Sequence, residues 1–221
     1  MIEYTDHPLL WPASFVARFE APLRDISTPA KVRAALINGA GGQDLELGFG
    51  PVPPVLREAI KKDTRALLRH GGYKPSGRGK PSSEYLARAI SEGDLPEINA
   101  AVDSCNALSV HSGLPISVVD LDLLEPPLRV AIAERESYVF NASGQEIQLD
   151  GLLCLSDATG PRANAVKDCH ATKTHAESRS LIVVVWGPAA HGALCEGVLE
   201  AYMRLMAEAG AEVARVGPAG R

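Results

Sequence analysis

Residues 102–122 of the chain read VDSCNALSVHSGLPISVVDLD. This stretch decides the fold because its hydrophobic pattern changes within it: a helical spacing ends near Gly113, and the alternation of a β-strand begins after Pro115. Its apolar positions are interrupted by polar side chains, which are Asp103, Asn106, His111, Asp120 and Asp122. A helix that only packs against a core carries Leu or Ala at several such positions. The stretch therefore predicts a helix-to-strand connection whose polar groups hold something in place.

The segments on either side of this connection predict a mixed architecture. Helical spacing is found at 54–70, at 84–93 after the capping candidates Ser82 and Ser83, at 96–112 and at about 190–209. Strand-like segments are SFVARFE (14–20), KVRAALI (31–37), ISVVDLDLL (116–124), LRVAIAE (128–134), ESYVF (136–140), QEIQLDG (145–151), LLCLSD (152–157) and SLIVVVWG (180–187). A Gly-rich turn, NGAGGQD, covers 38–44. We expect an α+β fold that forms a single domain over residues 1–221.

Composition limits the class of protein. The chain has 221 residues and is 46% hydrophobic, which is enough for a well-buried core. The N-terminal stretch MIEYTDHPLLWP has no basic signal region, and no segment approaches the roughly 18 apolar residues that a membrane span needs. The four cysteines lie far apart and form no C-x-x-C pair. These features predict a soluble, cytoplasmic protein with reduced thiols and no membrane partner.

Positive charge is concentrated in one part of an otherwise acidic chain. The net charge is −5, yet residues 57–80 hold eight basic and two acidic side chains, an excess of six positive charges that leaves −11 for the rest. Such an island indicates a specific anionic partner. We predict that it contacts an RNA backbone through Arg57, Lys61, Arg65, Arg69, Lys74, Arg78 and Lys80. The alternative is an exposed helix whose cations only keep it in solution.

The polar groups of the opening stretch converge on one region. On a helix, Asp103 and Asn106 lie on one face, and the following strand places Ser117 and Asp120 on its two sides. A buried Asn needs partners for up to four hydrogen bonds. The convergence therefore indicates either a network that caps the helix and ties it to the strand, or a wall that holds a ligand. The segment DCHATKTH (168–175) contains one Cys and two His, but their spacing matches no closed zinc site, so no metal is predicted.

The spacing of the opening stretch resembles that of the B3/B4 domain of the bacterial phenylalanyl-tRNA synthetase β subunit. The family pattern, V-D-x-x-N, seven residues, then Q-P-x-H-x-x-D, is matched without a gap at Val102, Asp103, Asn106, Pro115 and Asp120. Further matches are Arg129, Glu146, Asp150, Gly151 and Asp157. Stand-alone B3/B4 proteins are more similar still, because they share the signals P-S-S-E-x-L at 81–86 and L-P-x-I-N at 95–99. The resemblance covers about residues 80–187.

This resemblance implies an α+β fold with a β-sandwich-like core flanked by helices, preceded by the basic helix 54–70 and followed by the helix at about 190–209. It implies hydrolysis of the ester of a mischarged aminoacyl-tRNA, acting in trans because no synthetase catalytic motif accompanies it. The implied partner is an aminoacyl-tRNA, with an aminoacyl-tRNA synthetase as a second candidate, and without DNA, metal or cofactor. The candidate catalytic residues are Asn106 and Ser117, and the candidate substrate-binding residues are Cys105, Asp103, Asp120, Asp168, His170, Thr172 and Thr174.

The expected chemistry is modest because an aminoacyl ester is already activated. A site can work by placing one water near the carbonyl carbon and donors near the developing oxyanion, so no protein nucleophile is needed. We expect Asn106 and backbone groups to orient the ester or the water. Asp103 and Asp120 are expected to hold the helix-to-strand turn rigid.

Three positions depart from the family pattern. Leu114 replaces the Gln, Ser117 replaces the His, and Cys105 replaces the Thr that precedes Asn106. The amino acid that the site selects therefore stays open. Two other functions also stay open: a non-catalytic tRNA-binding or synthetase-associated module, and an enzyme that acts on a free amino-acid ester or amide.

Overall fold

The computed structural model describes residues 2–39, 47–93 and 95–218. The helices in this part of the chain are α1 (Ala30–Asn38), α2 (Pro54–Arg69), α3 (Ser82–Glu92), α4 (Ala100–Ser112) and α5 (Gly192–Glu208). The strands are β1 (Ile2–Tyr4), β2 (Leu10–Arg18), β3 (Ile116–Asp120), β4 (Leu128–Ile132), β5 (Ser137–Val139), β6 (Glu146–Gln148), β7 (Leu153–Asp157), β8 (Gly160–Asn164), β9 (Ser180–Pro188) and β10 (Glu212–Arg215).

These strands form two four-stranded sheets and one hairpin. The central sheet is antiparallel with the order β10-β2-β9-β3. The second sheet has the order β1-β4-β7-β8, in which β1 and β4 run parallel and the other pairs run antiparallel. The hairpin consists of β5 and β6. Strand β3 lies at one edge of the central sheet, where a bridge from Val119 to Lys173 joins it to the segment that follows β8.

Strand alternation places a hydrophobic cluster on each face of the central sheet. On one face, Phe15, Val183 and Val185 pack with residues of α1, α4 and α5. On the other face, Ile182, Val184 and Trp186 pack with residues of the second sheet. The result is a sandwich of two sheets with a helical layer outside it. The predicted α+β fold with a β-sandwich-like core flanked by helices is confirmed.

The prediction of a strand at KVRAALI (31–37) is wrong, because these residues lie within α1. The segment alternates charged and apolar residues only at its start. Its buried side chains, Val32 and Ala35, are three residues apart, which is a helical spacing. Pro29 precedes the helix, and Gly39 ends it with a φ of 61°. Two strong breakers with nine residues between them enclose a short helix as readily as a strand.

The prediction that the third helix starts at Pro96 is also wrong. Helix α4 starts at Ala100, because the Asn99 side chain accepts hydrogen bonds from the amides of Ala101 (3.1 Å) and Val102 (2.9 Å). Its end at Ser112 is as predicted, and Gly113 follows with a φ of 81°. Helix α3 differs in a similar way, since it starts at Ser82 after Pro81 and no side chain caps it.

Three strands, β1, β8 and β10, have no counterpart among the predicted segments. Each is short, and β8 reads GPRAN, which has neither the alternation nor the β-branched residues of a typical strand. The NGAGGQD turn falls largely outside the described residues. Among the described helices, none has both the length and the hydropathy needed to cross a membrane.

Candidate functional site

A cavity of about 790 Å³ opens beside the edge strand β3. Its walls come from α3, α4, β3, the segment after β5 and the segment after β8. The lining includes the aliphatic side chains Val102, Ile116, Val118 and Val166 together with charged side chains. This volume falls within the range of small-ligand sites, roughly 300–1,000 Å³. The cavity lies where the helix-to-strand connection was predicted to converge.

Asn106 lies in the wall of this cavity. Its side chain is only 8% exposed, and it makes no hydrogen bond to any described residue. Among the described residues, the buried side-chain nitrogen and oxygen atoms that lack a partner do not include those of Asn106, so its amide is accessible from the cavity. Of the two interpretations left open by the sequence, a capping network would give Asn106 protein partners. An amide that lines a cavity without such partners is available to a ligand.

Cys105 also contributes to the wall but is not arranged as a nucleophile. Its thiol donates to the carbonyl of Ile116, with an Sγ to O distance of 3.4 Å. Burial raises the pKa of this thiol well above its usual value, and the nearby Asp168 carboxylate raises the pKa further. The thiolate is the reactive form of cysteine, and it is not populated here at neutral pH. Cys105 therefore shapes the cavity as a small apolar group.

Asp168 contributes a carboxylate to the cavity wall. Its Oδ1 accepts hydrogen bonds from the Ser117 hydroxyl at 2.7 Å and from the Asn164 amide at 3.3 Å. Its Oδ2 has no hydrogen-bond or ion-pair partner among the described residues. Burial raises the pKa of this carboxyl to about 6, although the two hydrogen bonds and the charge of Lys173 oppose the rise. At neutral pH the group is mostly ionised and holds one free oxygen at the cavity.

Ser117, predicted to be catalytic, lies behind the wall rather than in it. Ile116 and Val118 face the cavity, so the alternation of β3 directs Ser117 to the opposite face of the sheet. There its 2% exposed hydroxyl accepts a hydrogen bond from the Trp186 indole (2.8 Å) and donates to Asp168. With both roles of the hydroxyl occupied, Ser117 is placed to position Asp168 and not to contact a substrate.

Asp103, predicted to bind substrate and to stiffen the helix-to-strand turn, lies at neither place. It is in the first turn of α4 and 1% exposed. Its carboxylate accepts hydrogen bonds from the Thr28 hydroxyl (2.7 Å) and from the Ile98 amide (2.9 Å). Asp103 therefore holds the chain that enters α4, at the opposite end of the helix from Gly113.

Asp120 also lies outside the cavity wall, but it does stiffen the end of β3. Its Oδ1 accepts from the amide of Asp122 at 2.9 Å, which starts the short helical turn after the strand. Its Oδ2 accepts from the Ser178 hydroxyl and lies 3.3 Å from Nε2 of His175. These contacts fix the segment that carries Lys173 and Thr174 past the cavity.

The three predicted pocket residues of this segment are placed differently from one another. Thr174 lines the cavity, and its hydroxyl accepts from the Asn99 side chain at 3.4 Å. Thr172 is buried behind the wall and bonds to the Cys169 carbonyl. His170 is exposed and does not line the cavity. Within the described ranges, no three His, Cys, Asp or Glu side chains are grouped so as to hold a metal ion.

The predicted basic stripe of α2 is largely committed to the protein itself. Arg57 donates to the carbonyls of Val110 and His111, both at 2.8 Å, and so caps the C-terminal end of α4. Arg65 forms a two-pronged ion pair with Glu84, at 2.7 and 2.6 Å. The stripe lies on α2 as predicted, but three of its four cations have partners within the protein, because the Lys61 ammonium lies 3.4 Å from the Glu58 carboxylate. The fourth, Arg69, is exposed.

A second group of cations stands at the cavity mouth and is called here the mouth cluster: Arg78, Lys80, Lys167 and Lys173. No carboxylate of the described residues pairs with any of them. Burial lowers the pKa of Lys167, and electrostatic repulsion by Arg78 and Lys173 lowers this pKa further. The ammonium of Lys167 also lies 3.7 Å from the centre of the Phe140 ring. Unpaired like charges held together form a site for an anion.

Sequence reasoning found only part of this cluster. Arg78 and Lys80 belong to the predicted island, and Lys74, also predicted, is exposed but does not line the cavity. Lys167 and Lys173 were missed, because each is an isolated cation in a mixed segment and no charge run marks it. Only the fold brings them to the mouth.

The chain is similar to one protein family and to a solved structure. The profile of the B3/4 domain family matches residues 75–189, which is 115 of the 221 residues. A similar solved structure is an N-terminal fragment of the phenylalanyl-tRNA synthetase β-subunit from Pyrococcus horikoshii. It has a TM-score of 0.47 and 13% sequence identity, over 54% of this chain and 45% of that one. The chain thus spans less than half of that fragment, and no curated protein matches it.

The matched segment contains α3, α4, the edge strand β3 and both segments that carry Asp168 and the mouth cluster. It therefore includes the whole wall of the cavity. Because the family profile covers more than half of the sequence, this protein belongs to the B3/4 domain family.

Proposed function

We propose that this protein is a trans-editing deacylase that hydrolyses the ester of mischarged aminoacyl-tRNA. Membership of the B3/4 domain family supports a role related to tRNA binding and editing at the level of the domain. The finer proposal depends mainly on one observation: Asn106 faces a cavity of about 790 Å³ with its amide unpartnered. An amide placed in this way can donate to an ester carbonyl or hold a water against it.

The chemistry proceeds without a protein nucleophile. The raised pKa of the Cys105 thiol keeps it protonated, and the Ser117 hydroxyl is occupied by Trp186 and Asp168. A water held in the cavity attacks the ester carbonyl, and the bond to the ribose oxygen breaks. The products are the free amino acid and the tRNA, whose terminal hydroxyl takes up a proton. Asn106 stabilises the charge that develops on the carbonyl oxygen during attack.

The mouth cluster supports tRNA as the carrier of the ester. Arg78, Lys80, Lys167 and Lys173 all line the cavity. Phosphates next to the terminal ribose would meet these cations when the acyl group lies in the cavity. Because binding of this kind releases counterions, affinity for tRNA should fall steeply with salt.

The test is a deacylation screen of the purified protein against a panel of aminoacyl-tRNAs, both correctly and wrongly charged. We expect hydrolysis of at least one mischarged species, and we expect Asn106→Ala to lower its kcat/KM by about 100-fold. Asn38→Ala is a matched control, because Asn38 is exposed at the end of α1 and lies outside the cavity wall. A panel that is hydrolysed no faster than in buffer would refute the proposal.

The mouth cluster taken alone also favours a second function, a non-catalytic tRNA-binding module. Such a module would bind tRNA through the same cations and would leave every ester intact. Retained tRNA affinity together with a flat deacylation screen would select this second function. Hydrolysis that is indifferent to charge reversal at Lys167 and Lys173 would instead indicate a free amino-acid ester or amide as substrate.

A further inference from the structure

We infer that Asp168 binds the α-ammonium group of the acyl moiety, so that the site accepts aminoacyl esters with a free amine and rejects N-blocked ones. This inference deepens the proposed function and depends on it. It assigns a chemical role to the free Oδ2 of Asp168 and a supporting role to the residues that hold this carboxylate.

Within the described part of the chain, the Asp168 carboxylate has a hydrogen-bond partner on only one of its two oxygens. Asp168 lines the cavity, its Oδ1 accepts from Ser117 and Asn164, and its Oδ2 has no hydrogen-bond partner among the described residues. No lysine or arginine of the described residues lies within ion-pair distance of it. A carboxylate that is largely withdrawn from water and has no ion-pair partner is unfavourable, and the more distant charge of Lys173 compensates this cost only in part, so a ligand that supplies positive charge would stabilise it. A neutral hydroxyl on the ligand would offset only part of the cost of desolvating the carboxylate. An ammonium supplies both a positive charge and hydrogen-bond donors.

The residues around Asp168 favour the α-ammonium of the amino acid over a charged group on its side chain. Apart from Asn106, Asp168 and the Cys105 thiol, the wall formed by α4, β3 and Val166 consists of aliphatic side chains. Glu84 also lines the cavity, but its carboxylate is paired with Arg65, so a cation at the end of an amino-acid side chain would find no unpaired carboxylate besides Asp168 in the described lining. The α-ammonium is present in every aminoacyl ester and is one carbon away from the carbonyl. With the carbonyl at Asn106, Asp168 in the same wall can receive the ammonium.

Recognition by Asp168 also requires that its carboxylate is held rigidly. The Trp186 indole donates to Ser117, and Ser117 donates to Asp168, so a fully buried aromatic residue anchors the carboxylate. Asn164 fixes the other side, since its side-chain oxygen accepts from the amides of Val166 (2.8 Å) and Lys167 (3.0 Å). Ser117 and Asn164 are therefore positioning residues that act through Asp168.

The test measures binding and does not require turnover. The probes are aminoacyl-adenosines with aliphatic side chains in which an amide replaces the ester, each prepared with a free amine and with an N-acetylated amine. Calorimetry on the full chain should show that at least one free-amine compound binds at least about tenfold more tightly than its N-acetyl counterpart. Equal affinities, or no binding by any member of the set, would overturn the inference.

Variants then identify the group responsible. Asp168→Asn should abolish the preference for the free amine, whereas Asp122→Asn, an exposed residue outside the cavity, should retain it. Ser117→Ala should reduce the ratio of the free-amine affinity to the N-acetyl affinity, because it loosens the carboxylate that binds the amine. If Ser117 had only a structural role, the variant would lower both affinities equally. A preference that survives Asp168→Asn would assign the amine to another group and contradict the inference. If the free-amine compound binds as expected but no aminoacyl-tRNA is hydrolysed, the deacylase proposal fails while amine recognition stands.

Discussion

The α2 stripe and the mouth cluster carry the same kind of charge but are built in different ways. On α2, Arg57 binds backbone carbonyls and Arg65 binds Glu84, so these guanidinium groups connect parts of the protein. In the mouth cluster, the four cations have no carboxylate partner among the described residues and stand around a cavity. The comparison teaches that a run of cations in a sequence locates charge, whereas only the fold distinguishes cations that are available from cations that are committed.

The largest expected effect comes from reversing charge at the mouth. The double variant Lys167→Glu, Lys173→Glu should lower tRNA affinity by about 100-fold at low salt, and the slope of log affinity against log salt should become shallower. Fluorescence anisotropy over a series of KCl concentrations measures both quantities. The control is Lys61→Glu, Arg69→Glu on α2, for which we expect a change of less than about threefold. Equal losses in the two variants would break the distinction between the regions.

The second effect is on stability and concerns α2. Arg57→Ala removes two charge-assisted hydrogen bonds to the last turn of α4 and should lower the free energy of unfolding by about 2 kcal/mol. Urea denaturation measures this change, and tRNA affinity should stay within about twofold of the wild type. A stable variant with weakened tRNA binding would place Arg57 in the interface after all.

The third effect is also on the free energy of unfolding but has the opposite sign, because the ionised Asp168 carboxylate destabilises the folded protein. Its pKa in the folded protein, about 6, is above its ordinary value, so the folded state binds the proton more tightly than the unfolded state. The stability that this group contributes is therefore lost as pH rises from about 4 to about 6. Because the carboxylate faces the cavity and stays partly hydrated, Asp168→Asn should raise the free energy of unfolding by about 1 kcal/mol at pH 7.5 and little at pH 4.

Denaturation of Asp168→Asn at both pH values tests this sign. A variant that is less stable than the wild type at pH 7.5 would show that the carboxylate has a structural partner. The two variants can then be compared by their free energies of unfolding. The Arg57 guanidinium stabilises the fold, whereas the Asp168 carboxylate destabilises it.

The smallest effect tests whether a committed cation can be released. Glu84 lines the cavity and forms an ion pair with Arg65 of α2. Glu84→Gln should therefore free the guanidinium and raise tRNA affinity by about threefold, with a loss of stability below about 1 kcal/mol. The same anisotropy titration measures the change. Weaker tRNA binding in this variant would contradict the view that the ion pair withholds Arg65 from the ligand.

Much of this architecture could be predicted from the sequence, because periodicity reports burial. The change of period around Gly113 located α4 and β3, and the apolar run at 180–187 located the central strand β9. Periodicity failed at KVRAALI, where two turns of helix carry too few apolar residues to distinguish the two patterns. The start of α4 was misplaced because a capping Asn is a stronger signal than a nearby proline.

Only part of the cavity wall could be predicted from the sequence. The spacing of the opening stretch singled out Asn106, which lies in that wall, and its catalytic role stays a prediction. The spacing could not separate Asp168, which faces the cavity, from Asp103 and Asp120, which bind backbone and hydroxyl groups. All three are buried or half-buried carboxylates, and their partners are far away in the sequence. The same holds for Lys167 and Lys173, which meet Arg78 only in the folded chain.

The most direct test of the central claim is a crystal structure of the protein with an amide-linked aminoacyl-adenosine. We predict that the acyl group lies in the cavity beside β3, with its carbonyl oxygen within about 3.2 Å of the Asn106 side chain. The adenosine should extend toward Arg78 and Lys80. An acyl group bound elsewhere, or a nucleoside that lies along α2 while the cavity stays empty, would contradict the account.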